Sequence, residues 1–87
     1  MIKEKQKLPK WFKGELYKEG ATVQNRFSGG EIELNNIELS MYDFIIGATL
    51  MYEMQGMNVD QLMLKDLRKG LDWFRMNNAE AYMVLLD

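Results

Sequence analysis

The sequence predicts an α+β fold: a small antiparallel hairpin or three-stranded meander packed on two or three C-terminal helices. Three observations predict it. Period-2 alternation runs through the first half, where Glu31 and Glu33 alternate with Ile32 and Leu34. Helix-start patterns then recur three times between Ser40 and Glu80. Finally, residues 41–55 are apolar on nearly every side, so that segment has to lie between other elements. A chain of 87 residues, 47% hydrophobic and 28% charged, fits one globular domain with a thin margin of stability.

Residues 1–10 read as a flexible basic arm around the only proline, Pro9, with a single α+β domain over 11–87. Strands are expected near 15–18, 21–27 and 31–35, punctuated by Gly20 and by Ser28-Gly29-Gly30. Three strands with a covering helix are about the minimum for independent stability. The first helix is predicted over 41–55, with Ser40 as its N-cap, Asp43 at N3 and Leu39 stapled to Phe44, stopping at Gly56. A second start follows in Asn-Val-Asp-Gln, with Asn58 as the cap, Asp60 in the first turn and Gln61 at N3. Leu64, Leu67, Leu71 and Phe74 then mark one face to residue 76, and Lys65, Asp66, Arg68, Lys69, Asp72 and Arg75 a wet one. Gly70 beside the apolar stripe costs about 1 kcal/mol against Ala and implies a close approach by another element. A third start, Asn77 as cap with Glu80 at N3, leads into residues 81–86 as a short helix, with a strand as the alternative.

Within 41–55, Met41, Phe44, Ile45, Ala48 and Tyr52 fall on one side, and Ile46, Leu50 and Met54 on another. Such a helix needs cover from two directions, either the sheet and the C-terminal helices or a second copy of the chain. A homodimer is therefore expected. Tyr42, Ile46, Leu50, Trp73 and Tyr82 are the interface candidates, being large apolar or amphipathic residues on helices whose main core stripe is already assigned.

Composition narrows the chemistry. The chain has no Cys, which removes thiolate nucleophiles and disulfides, and no His, the side chain that titrates near neutral pH. No cofactor is expected. The longest apolar stretch, FIIGATLMY at 44–52, is far short of the ~20 residues that span a bilayer. MIKEKQK lacks the apolar core of a secretory signal, so the expectation is a soluble, cytoplasmic protein without a membrane partner. The net charge of −2 hides an asymmetry: residues 1–30 are about +4, the remainder about −6.

Three motifs carry candidate chemistry. NRFSGG at 25–30 offers Arg26, Ser28, Gly29 and Gly30 as anion contacts, but Glu31 and Glu33 follow in a strand rather than a helix, so a bend is the stronger reading. Lys3, Lys5, Lys7, Lys10 and Lys13 flank Trp11 and Phe12, an interleaving suited to single-stranded nucleic acid. Lys7, Lys10, Trp11 and Lys13 are the contacts expected there, though the acidic body weighs against it. Glu31, Glu33 and Glu38 would at most hold a weak oxygen-only cation site, and Asp60, Asp66 and Asp72 spread around their helix. Eight Met residues supply either gap-filling in a small core or a Met-lined partner groove.

The strings VQNRFSGGEIEL, ELSMYDFIIGA and RKGLDWFRMNNAEAYMVLLD resemble small uncharacterised proteins of marine tailed phages, including cyanophages, over roughly residues 8–87. The family pattern has Asn-Pro-Phe-Ser-Gly where this chain has Arg26 in place of proline, which argues against a fixed binding role for that turn. The resemblance implies a phage origin and an accessory role during infection, with no activity or catalytic residue to transfer. The resulting expectation is a non-enzymatic accessory protein acting by protein–protein contact, with itself and with a host or phage protein.

Overall fold

Among the described residues, two strands, three helices and an N-terminal segment form the domain. The computed structural model describes residues 6–12, 14–25, 27–56 and 60–86. β1 (Ala21–Gln24) pairs antiparallel with β2 (Glu31–Leu34), placing Ala21 opposite Leu34 and Val23 opposite Ile32. The alternation of Glu31 and Glu33 with Ile32 and Leu34 is what sorts β2: both Glu side chains are exposed, while Ile32 and Leu34 turn inward. The strand expected at 15–18 does not form, so the sheet is a hairpin rather than a meander. Its backbone is claimed by side chains instead. Tyr17 N–H donates to Ser40 Oγ at 2.9 Å, and the Tyr17 carbonyl accepts from Asn36 Nδ2 at 3.2 Å.

α1 (Asn36–Gln55) starts five residues before the predicted position, because an earlier capping box is complete. Asn35 Oδ1 accepts from Glu38 N–H at 2.8 Å, and Glu38 Oε1 accepts from Asn35 N–H at 3.1 Å. Ser40 is therefore not the cap. It sits one turn inside, fully buried, with its hydroxyl donating to the Asn36 carbonyl at 2.7 Å, and Asp43 is mid-helix. Leu39 and Phe44 likewise lie inside the helix and do not staple its start. The predicted stop holds: Gly56 adopts φ +59° and donates to the Tyr52 carbonyl.

α2 (Gln61–Asn77) is capped by Asp60, whose carboxylate accepts from Leu62 N–H at 2.9 Å. The expected cap, Asn58, lies outside the described residues. α3 (Ala79–Leu85) resolves the last segment as helix rather than strand. Its cap is Asn78, accepting from Ala81 N–H at 3.0 Å, while Asn77 closes α2. The extended backbone at Asn78 (φ −152°, ψ 80°) breaks the helix in two and presents the side chain to the next one.

Leu34, Met41, Ile45, Phe74, Ala81 and Leu85 form the buried core between β2 and the three helices. Gly70 sets the α1–α2 distance: a Cβ there would lie 3.3 Å from both Ile45 Cγ1 and Met41 Sδ. Asp66, expected on the wet face, is largely covered. It stands two turns before Trp73 on the same side of α2, the side along which the N-terminal segment lies. Over its described part, residues 6–10, the expected arm is tied to the domain. Leu8, Trp11 and Phe12 pack on the core, Trp11 and Phe12 meeting Phe44 at ring centroid distances of 5.8 and 5.6 Å. The Trp73 indole N–H donates to the Lys7 carbonyl at 3.0 Å. Among the described residues, no helix is long and apolar enough to cross a membrane.

Candidate interaction surfaces

Four places on the molecule gather side chains with functional potential. The first is an open, mostly polar cleft of about 950 Å³ where Gln6, Asn35, Glu38 and Asn78 converge. Glu38 is only 6% exposed, and its carboxylate accepts from Gln6 Nε2 at 2.9 Å, Asn78 Nδ2 at 3.1 Å and Asn35 N–H. Gln6 Oε1 in turn accepts from Asn35 Nδ2 at 2.9 Å. The network joins the N-terminal segment, the α1 cap and the α2–α3 junction. With every one of these groups engaged, it clamps the fold. Among the described residues no group of three Asp or Glu is arranged to hold a metal ion. On the α1 flank the Tyr17 phenol is raised above its ordinary 10.0, first by desolvation and then by hydrogen bonding to Asp43. That again describes a packing contact.

The second is the hairpin turn. Arg26 lies outside the described residues. The amide groups that would cradle an anion are used inside the turn: Phe27 and Ser28 N–H donate to Asn25 Oδ1, Gly29 N–H to the Asn25 carbonyl and Gly30 N–H to Ser28 Oγ. Gly29 takes φ +79°, which a side chain would strain. Asn25 Nδ2 pins the turn to α3 by donating to the Val84 carbonyl at 2.9 Å. The amides of the described turn residues are thus engaged within the bend, and Phe27 is 98% exposed on it.

The third is the outer face of α1. At 3.6 residues per turn, Ile46, Leu50 and Met54 fall within an arc of about 80°, with Gly47 and Met51 beside them, away from buried Met41 and Ala48. Leu50, Met51 and Met54 are 45%, 46% and 85% exposed. A Cβ on Gly47 would meet nothing within 4 Å. Of the five interface candidates, Ile46 and Leu50 belong to this face. The other three are drawn into the chain's own packing: Tyr42 and Trp73 lie 6.3 and 6.4 Å from the Phe74 ring, and half-buried Tyr82 packs on the core. The sheet and C-terminal helices therefore cover one side of α1 and leave the outer side of its C-terminal turns exposed.

The fourth is basic. Lys7 and Lys10 are exposed on the N-terminal segment, and Trp11 is half-buried beside them. Lys69 Nζ lies 6.0 Å from the Trp11 ring centroid, at the outer reach of a cation–π contact. Lys13 lies outside the described residues. The participation of α2 was not visible in the sequence, since the contact depends on how the N-terminal segment runs across that helix.

A scan of protein families and searches of characterised proteins and solved structures find no match to this chain.

Proposed function

We propose that the protein works by protein–protein contact, and first of all with a second copy of itself through the outer face of α1. The carrying observation is the exposed stripe of Leu50, Met51 and Met54, continued by half-buried Ile46, on a helix whose opposite side builds the core. A contiguous exposed apolar patch of this kind marks an interaction site. No charged residue occurs from Phe44 to Tyr52, and the carboxylates on this side of the helix, Asp43 and Glu53, stand toward the two ends of the stripe, where they can remain at a solvated rim. Gly47 costs helix stability of about 1 kcal/mol and fills no need within the chain, but it lets a second helix approach closely.

The absence of His and Cys supports binding over catalysis. The resemblance to tailed-phage proteins supports an accessory role in the cytoplasm of an infected cell, with a host or phage protein as the further partner. Light scattering across a concentration series tests the self-association. The dimer mass is expected at about 100 µM, within the range of weak interfaces, and the monomer mass for Leu50→Glu/Met54→Glu. A native chain that stays monomeric at that concentration overturns the reading.

A further inference from the structure

We propose that a basic strip formed jointly by the N-terminal segment and α2 binds single-stranded nucleic acid, on a surface separate from the α1 face. Two contacts bring the strip together. The Trp73 indole holds the Lys7 carbonyl, and one turn earlier on α2 Lys69 reaches over the Trp11 ring. Residues 7–11 therefore run alongside α2 for about one helical turn. Lys65 extends the line by a further turn, and Arg68 stands on its flank. Lys7, Lys10, Lys65, Arg68 and Lys69 are all exposed.

Among the described residues, the cations of the strip form no ion pair with a carboxylate. Among the described residues the ion pair present is Arg75 with Asp72, at 3.2 Å and exposed. Asp72 is thereby drawn toward Arg75, and the remaining carboxylate of α2, Asp66, is largely covered. Five exposed cations, in no ion pair among the described residues and set against the two carboxylates of α2, concentrate positive potential on one surface. Phosphates gain most from such a strip through release of their counterions.

The aromatic component selects the strand form. Trp11 is half-buried between Phe44 and Lys69, with its ring held in place by the fold. A base that displaces the Lys69 ammonium from the indole stacks there, while the lysine turns to a phosphate. A duplex offers no unpaired base for that exchange. An anionic bilayer offers none either.

Fluorescence anisotropy with a labelled oligo-dT, titrated with the full chain between low and moderate salt, tests this. Binding is expected at low salt, with log K falling against log [salt] at a slope of about −3, from roughly −0.7 per cation over four or five cations. Lys65→Glu/Lys69→Glu should weaken binding at least tenfold with unchanged circular dichroism. Quenching of tryptophan emission by the oligonucleotide should diminish in Trp11→Leu. No binding at low salt, or binding indifferent to Lys65 and Lys69, overturns the proposal. Binding to phosphatidylserine vesicles without binding to the oligonucleotide overturns it in favour of a membrane surface. Leu50→Glu/Met54→Glu, which removes the α1 stripe, separates the two proposals: its loss of dimer mass with retained DNA binding shows the surfaces to be independent.

Discussion

Gly47 and Gly70 both sit inside helices, yet their surroundings are opposite. A methyl group at Gly47 enters open space, so Gly47→Ala removes the conformational penalty of glycine without a clash. In dilute solution, where the chain is monomeric, thermal denaturation should show a gain of about 0.5–1 kcal/mol, a few degrees in Tm. At Gly70 the same methyl lies 3.3 Å from Ile45 Cγ1 and Met41 Sδ, and both of those side chains are fully buried. Gly70→Ala should therefore show no net gain, and Gly70→Val a loss of about 1–3 kcal/mol from overpacking. Equal stabilisation at both sites would show that α1 and α2 are not held at the distance described. The Gly70 contact was readable from sequence because the glycine sits beside a leucine stripe. The openness of Gly47 was not, since an all-round apolar helix conceals which side faces out.

At the scale of elements, the start of α1 turns on two polar residues with different duties. Asn35→Ala removes the acceptor for Glu38 N–H and the donor to Gln6, and should cost about 1–2 kcal/mol. Ser40→Ala leaves the Tyr17 N–H without its acceptor and should cost about 1–3 kcal/mol. Hydrogen exchange distinguishes them: the first variant loses protection in the first turn of α1, the second at Tyr17 with the helix start intact. If Ser40→Ala frayed the helix start, Ser40 would be the cap after all. Sequence pattern pointed to Ser40 because Ser-x-x-Asp resembles a capping box, but Asn35-x-x-Glu38 meets the same rule five residues earlier and engages both backbone groups. The three helices and the hairpin were legible for this reason: periodicity and glycine stops are local. The missing strand at 15–18 and the Gln6–Glu38–Asn78 clamp were not, because both depend on partners about 20 or more residues away.

For the molecule as a whole, the core is small. Among the described residues seven apolar side chains are buried, while Leu50, Met51, Tyr52 and Met54 on α1 remain wet. Burying each large one is worth about 1.5–3 kcal/mol, so covering the stripe adds appreciably to a domain of this size. If a second copy supplies the cover, stability becomes a function of concentration by mass action. A tenfold rise in concentration is worth about 1.4 kcal/mol per dimer, or roughly 0.7 kcal/mol per chain, which corresponds to about 3–6 °C in Tm. Differential scanning fluorimetry from about 1 to 100 µM should show that climb in the native chain and a flat line in Leu50→Glu/Met54→Glu. The same experiment reads Gly47→Ala a second way. Its gain at low concentration should shrink or reverse at high concentration, because the methyl group that helps the isolated helix stands between two helices in the dimer. A native Tm independent of concentration would remove the second copy as the cover for α1 and leave the stripe to another protein.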